Sequence, residues 1–379
     1  MDVQKSVIDF EYPEKCEIRS YKPTTKGNYV QVRRVMAALE EAEKPLICIG
    51  GGVFAAHAEN EIRELADLMQ IPVITTMMGI SVFPDDDQLF CGMIGTHGVK
   101  MANAAVNECD VLFLVGARVG DRAVKTPLAL EKTTKIIHID IDPAEIGKNI
   151  GADLPLVGDA KLVLQQMTEL AKPMKHDEWI AHIKTLGGER KYVEPAKGTV
   201  NPRVFIDRLA KKMPANVTVV ADVGQNQIWT CTEYKFRKEG RLLTSGGMGT
   251  MGYSVPAAIG AKMADNSRAT VAICGDGAFQ MSFMELATAV QFGVDIKVVV
   301  MTNNRLGMVR ELQTNGYHDR QTAVFLDGSP DFIKLAEAYG IPAMRVYDDD
   351  TMEKGVEMLA EHKGICLVEV VVDKDMPTL

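Results

Sequence analysis

Apolar positions along the chain fall into two alternating series of helix-length and strand-length segments. In the first series, residues 30–43 carry apolar side chains at helical spacing, and "PLICIGGG" follows as a continuously apolar run ending in a glycine turn. A helix over 59–69, the strands "IPVITT", "DVLFLVGAR" and "KIIHIDIDP", and a helix over 159–170 complete it. The second series starts with a helix over 203–213 and the strand "VTVVADVG". It continues through "TSGGMGTMGY", the helix "VPAAIGAKMA" and the strand "ATVAIC". The segment "GDGAFQMSFMELATAVQFGVDIKVVVMTNN" comes next, then a helix over 331–339, the strand "AMRVYD", a helix over 351–362 and the strand "CLVEVVVD". Strands that are apolar throughout and separated by helices imply parallel sheets covered on both faces. The expected fold class is therefore α/β, with two doubly wound parallel-sheet domains. Residues 1–29 read as an N-terminal lead, 30–171 as the first domain and 201–379 as the second. Between them, 172–200 reads as a linker with a short helix around Trp179, because "KPMKHDEW", "LGGERK" and "EPAKGTVNP" mix Pro, Gly and charge.

Composition narrows the classes of function. A chain of 379 residues with 46% apolar and 25% charged residues suits two ordinary cores. The net charge of −9, with no basic run interleaved with aromatics, excludes a nucleic-acid surface, because neutralising phosphates needs clustered Lys and Arg. Seven scattered cysteines without a C-x-x-C pair read as buried thiols in a reducing compartment. The opening "MDVQKSVIDFEYPEK" lacks the apolar core of a signal peptide, and no apolar run is long enough to span a bilayer. The expected location is the cytoplasm, without a membrane partner.

The chemistry concentrates in the GDG segment. Its first strand ends at Gly275, Asp276 and Gly277, Ser282 and Glu285 are spaced as a capping box, and the next strand ends at an asparagine pair. A right-handed crossover brings Asp276 and Asn303 to the same carboxyl edge of a sheet, where such folds bind ligands. A carboxylate, an amide carbonyl and a main-chain carbonyl are hard oxygen donors suited to Mg²⁺ shared with a diphosphate. Taken singly, a D-G turn and an N-N turn are ordinary loop punctuation.

Taken together, their spacing resembles the thiamine diphosphate signature. The words "DVGQNQ", "TSGGMGTMGY", "PAAIGAK", "GDGAFQMSFMELATAV" and "NNRLGMV" resemble, in order, the carboxyl-terminal domain of the acetohydroxyacid (acetolactate) synthase catalytic subunits. Upstream, "GGG", "TTMMG", "GMIGTHG", "GARVGDR" and "IDIDPAEI" resemble that family's central, flavin-associated domain, so the resemblance covers nearly the whole chain. It implies that Val223, Gly224, Gln225 and Asn226 flank the diphosphate of thiamine diphosphate. Gly249 and Met251 would lie under the cofactor, with Met251 propping it into its bent form. Mg²⁺ would be held by Asp276, Asn303 and the main-chain carbonyl of Arg305. Aligning on "LGMV" selects Asn303 and puts Thr302 at the family's first asparagine, whereas reading "NN" literally selects Asn304. Gly275, Gly277, Ala278, Gly307, Met308 and Val309 would complete the wall.

In the first domain the resemblance implies flavin adenine dinucleotide along Gly50, Gly51 and Gly52, Thr76 and Met77, His97 and Gly98, Gly116, Ala117 and Arg118, Asp140 and Ile141, and Asp159 and Ala160. Arg122 would lie near the carboxylate of a 2-keto acid. The chain has Arg118, Val119, Gly120, Asp121 and Arg122 where the family has Arg-Phe-Asp-Asp-Arg, and Leu312 where it commonly has the tryptophan tied to 2-ketobutyrate. The implied reaction joins two pyruvates into 2-acetolactate and CO2, in branched-chain amino acid biosynthesis. Implied partners are a second copy of the chain, a small regulatory subunit, and a separate pyrimidine-binding domain carrying the activating glutamate, which the matched words do not include. Without that domain the chain is expected to be inactive. Two other readings stay open: a noncatalytic nucleotide-binding or interaction protein derived from such an enzyme, and another thiamine diphosphate carboligase or decarboxylase.

Overall fold

Asn28 starts the first long helix by accepting the N–H groups of Val30 and Gln31, and Tyr29–Glu41 then buries Val32, Val35, Met36 and Leu39 along one face. In the computed structural model, which describes residues 1–16, 18–188 and 192–379, this helix packs against the first of two sheets. The strands of that sheet are β1 (Pro45–Ile49), β2 (Val73–Thr75), β3 (Phe90–Met93), β4 (Val111–Val115), β5 (Lys135–Asp140) and β6 (Leu154–Val157). They lie in the order β3-β2-β1-β4-β5-β6, all parallel. Along β1, Ile47 and Ile49 enter one core while Leu46 and Cys48 enter the other, so both faces are covered.

The second sheet comprises β7 (Thr218–Ala221), β8 (Arg241–Thr244), β9 (Thr270–Gly275), β10 (Lys297–Thr302), β11 (Ala343–Val346) and β12 (Cys366–Val371). Its order is β11-β12-β10-β9-β7-β8, again parallel. The strand order reverses between β1 and β4 in the first sheet and between β7 and β9 in the second. At each reversal the connections leave to opposite sides and open a crevice beyond the carboxyl ends of the strands.

Two features differ from the sequence expectations. Ser282 and Glu285 form no capping box: the Ser282 hydroxyl has no hydrogen-bond partner, and Glu285 instead accepts the Thr288 hydroxyl at 3.2 Å. A 3₁₀ turn over Phe283–Glu285 displaces the α-helical start to Leu286–Gln291 and commits the Glu285 N–H to the Ser282 carbonyl at 3.0 Å, so the Ser282 hydroxyl does not receive it. The helix around Trp179, Asp177–Thr185, docks on the first sheet, burying Trp179 and Ile183 and donating the Trp179 indole N–H to the Pro45 carbonyl at 3.0 Å. Part of the expected linker, 189–191, lies outside the described residues.

The sheets meet along a polar and apolar seam. Ile80 and Met93 enter the core of the second sheet. The Leu242 N–H donates to the Ser81 hydroxyl at 2.9 Å, Arg241 pairs with Glu59 at 2.7 Å, and Asp85 exchanges two hydrogen bonds with Phe236. Among the described residues no helix is long and apolar enough to cross a membrane.

Candidate functional site

The crevice at the β7/β9 reversal holds a cavity of about 130 Å³ lined by Val223, Gly224, Gln225, Asn226, Met251 and Gly275–Ala278, with Asn303, Arg305 and Gly307–Val309 closing it from β10. Two helices begin at its edge, Gln225–Glu233 and Gly307–Gly316. Among the described residues no side chain caps either one, so apart from the Gln227 N–H, which donates to the Gly224 carbonyl at 3.1 Å, these first turns are open to an anion in the cavity.

Asp276 sits at the floor, 2% exposed. Its Oδ1 accepts the Gly277 N–H at 2.8 Å, and its Oδ2 accepts those of Asn304 at 2.6 Å and Asn303 at 3.2 Å. Burial nevertheless lifts the carboxyl to about 6, since three N–H groups only partly replace the lost water. A divalent cation beside it would relieve that cost. Among the described residues no three His, Cys, Asp or Glu side chains converge as a metal cage. A cation here would draw its remaining ligands from neutral oxygens and from its anion.

The two candidate asparagines part company. Asn303 lines the cavity, donating Nδ2 to Gln225 Oε1 at 3.2 Å and accepting the Arg305 N–H on Oδ1 at 3.1 Å. Asn304, with φ +54°, is exposed and contributes its N–H to Asp276. Gln225 turns its own amide nitrogen away from the cavity, toward the Met376 carbonyl at 2.9 Å, so only its backbone N–H faces an incoming anion.

Asp222 is a residue that sequence reasoning passed over. Fully buried, it accepts the N–H groups of Gly252 at 3.0 Å and Ser254 at 2.8 Å and thereby pins the glycine-rich loop carrying Met251. Its position at the head of "DVGQNQ" was the available signal. Trp229, Met301 and Leu306 also line the cavity and were not anticipated.

A larger cavity of about 880 Å³ lies between the sheets at the β1/β4 reversal. It gathers Gly50, Gly51, Gly52, Thr76, Met77, His97, Gly116, Ala117, Arg118, Arg122 and Asp140, and reaches Ser245–Gly249 of the second unit. It shares Val223 and Met308 with the smaller cavity, so the two adjoin. Burial and the neighbouring Arg122 guanidinium hold His97 below the usual imidazole range.

Four expected contacts fall outside this cavity. Asp159 is occupied as a helix cap, accepting the Leu162 N–H at 3.1 Å, and Ala160 is buried in the first core. Ile141 projects to solvent, and Gly98 is folded tightly against Met93 and Ile94 within its turn. Six of the seven cysteines are buried as the sequence suggests and Cys16 is exposed; burial pushes the thiols of Cys48, Cys91, Cys109 and Cys231 up to about 12, which disfavours the thiolate a nucleophile needs.

Residues 32–167 match the central domain of thiamine pyrophosphate enzymes, and residues 222–370 match their C-terminal TPP binding domain. Over 98% of its length the chain is 39% identical to the "Probable acetolactate synthase large subunit" of Methanocaldococcus jannaschii, covering 65% of that protein. It is 39% identical, over 91% of its length, to the acetolactate synthase large subunit of Corynebacterium glutamicum, covering 57% of it. Against the acetolactate synthase isozyme 3 large subunit of Escherichia coli it is 34% identical over 98% of its length, covering 68% of that relative. The chain thus spans about two thirds or less of the relatives it matches.

Proposed function

The chain belongs to the thiamine pyrophosphate enzymes, in the acetolactate synthase large-subunit family, and we propose that it holds thiamine diphosphate and Mg²⁺ in the smaller cavity for the joining of two pyruvates into 2-acetolactate and CO2. The observation that carries this reading is the convergence of two uncapped helix starts with Asp276 and Asn303 at one sheet reversal. That donor set fits a metal-bound diphosphate: N–H groups for the phosphate oxygens, and one carboxylate, one amide oxygen and the Arg305 carbonyl for the cation. Bound there, thiamine diphosphate supplies an electron sink for decarboxylation of a 2-keto acid.

The protein's own contribution is placement. Met251, on the loop pinned by Asp222, would help hold the cofactor together with Ala278. Met308 lines both cavities where they adjoin, and Val309 lines the smaller one. Arg122, on that cavity's wall, receives the carboxylate of the 2-keto acid. Among the described residues no glutamate lines the smaller cavity. The acid that activates the cofactor therefore comes, in this reading, from a pyrimidine-binding domain outside these two. The larger cavity, with Arg118 and a volume at the upper end for ligand sites, suits flavin adenine dinucleotide. A homo-oligomer and a small regulatory partner belong to the same reading.

Calorimetric titration with thiamine diphosphate in saturating Mg²⁺ tests the site, and acetolactate formation from pyruvate after adding a relative's pyrimidine-binding domain tests the reaction. Binding together with turnover supports the proposal. Binding without turnover favours a noncatalytic nucleotide-binding role, and failure to bind removes the cofactor reading altogether.

A further inference from the structure

Beyond β12 the chain returns behind Gln225 and Trp229, two residues that line the smaller cavity, and it meets them through polar contacts. Met376 and Thr378 are each 3% exposed. The Thr378 hydroxyl donates to the Glu311 carboxylate, and the Thr378 N–H donates to the same group at 3.1 Å. The Trp229 indole N–H reaches the Pro377 carbonyl at 3.2 Å. All three oxygens that surround the Gln225 amide nitrogen come from this assembly: Met376 O at 2.9 Å, Thr378 Oγ1 at 3.1 Å and Glu311 Oε2 at 3.2 Å.

An amide side chain is a two-ended object, and fixing its donor end fixes its acceptor end. With Nε2 committed to the strap, Gln225 can offer only Oε1 to its other neighbour, Asn303. Asn303 must answer with Nδ2, at 3.2 Å, which leaves its Oδ1 on the side of the Arg305 backbone. We propose that Thr378 and Glu311 are positioning residues: through Gln225 they orient the Asn303 amide so that its oxygen, not its nitrogen, faces the cation. This rests on the reading of Asn303 as a metal ligand. A Gln225 free to rotate could present NH2 to Asn303 instead, and a flipped Asn303 would turn a donor toward the cation.

The test uses the full chain and reads Mg²⁺ affinity directly, by calorimetry in saturating thiamine diphosphate, beside thermal melting of the cofactor-free protein. Thr378→Val, which keeps the shape and loses the hydroxyl, is expected to weaken Mg²⁺ binding about tenfold, as loss of a residue that orients a ligand does. Thr378→Ser is expected to stay within about twofold of the unsubstituted chain, because the hydroxyl is what matters. If Thr378→Val does not fold, Glu311→Gln carries the same expectation from the other side of the contact. Unchanged Mg²⁺ affinity in a folded Thr378→Val or Glu311→Gln overturns the inference, and so does an equal loss in Thr378→Ser. Failure of the unsubstituted chain to bind thiamine diphosphate and Mg²⁺ is a different result: it overturns the cofactor reading, and the strap's role with it.

Discussion

The backbone N–H of Asn304 donates to the Oδ2 of Asp276 at 2.6 Å, tying the end of β10 to the end of β9. Asp276 therefore has a structural duty besides any toward a cation, and substitution must separate the two. In Asp276→Asn the amide oxygen can keep the Asn303 and Asn304 N–H groups while the new NH2 loses the Gly277 N–H, a loss offset because no charge remains to desolvate. The fold should survive, with a melting temperature close to that of the unsubstituted chain. Loss of the anionic donor should weaken Mg²⁺-dependent thiamine diphosphate binding by at least about 100-fold. Calorimetry and melting on the same sample check both halves, and retained affinity would remove Asp276 from the metal site.

Much of this geometry was legible in the chain, and what escaped did so for physical reasons. Strands buried on both faces, such as "PLICI" and "KVVVMT", announce themselves as unbroken apolar runs. Those that went unread, β3, β6 and β8, are short edge strands; β6 carries Pro155, which only an edge tolerates. Helix Gln225–Glu233 was missed because every residue is buried, so its polar side chains follow the site rather than a solvent face. Asp276, Asn303 and Met251 were readable as words in order. The strap over Gln225 was not, because contacts spanning some 150 positions leave no local trace.

Gly307 lies so close to Gln225 that a Cβ at this position would strike the side-chain amide, coming within 2.7 Å of its Cδ and 3.0 Å of Asn303 Nδ2. In an open helix the change to alanine would stabilise by up to about 1 kcal/mol. Here overpacking of about 1–3 kcal/mol outweighs it. Gly307→Ala should therefore lower stability in urea unfolding. By pushing Gln225 from Asn303 it should also weaken Mg²⁺ binding, and a stabilised variant with normal Mg²⁺ affinity would contradict this packing.

Asp85 offers a pH-dependent prediction at the seam between the sheets. Burial is the main cause that lifts its carboxyl to about 6, against the opposing pull of Lys235 at 3.6 Å and the Phe236 N–H at 2.8 Å. Its folded pKa thus lies above the unfolded value of about 3.9, so the folded state binds the extra proton. The associated stability is fully present below the unfolded pKa and is lost as pH rises through about 6. Asp85→Asn, which can still accept the Phe236 N–H, lacks this dependence. The unsubstituted chain should lose up to about 3 kcal/mol relative to the variant between pH 4 and pH 7.5. Urea unfolding of both proteins at each pH measures the difference, and one that is flat with pH would refute the assignment.

The larger cavity can be probed by two substitutions that should fail in different ways. Gly52 packs against Gly116 across the β1/β4 reversal, where an added Cβ would come within 2.7 Å of the Gly116 Cα. Neither backbone can yield without parting β1 from β4, whose five paired residues run side by side up to this turn. Gly52→Ala should therefore lower the melting temperature of the first domain and abolish flavin retention together. Arg118 is exposed at the cavity wall, and its removal leaves the core untouched. Arg118→Ala should melt like the unsubstituted chain and yet bind flavin adenine dinucleotide about tenfold more weakly, the loss expected for a charged hydrogen bond to a phosphate. Flavin absorbance co-eluting with the protein reads binding, and calorimetric melting reads stability. Were Arg118→Ala to hold flavin as tightly as the unsubstituted chain, Arg118 would have no part in holding the dinucleotide phosphates, and the other cation on this wall, Arg122, would be the next to substitute.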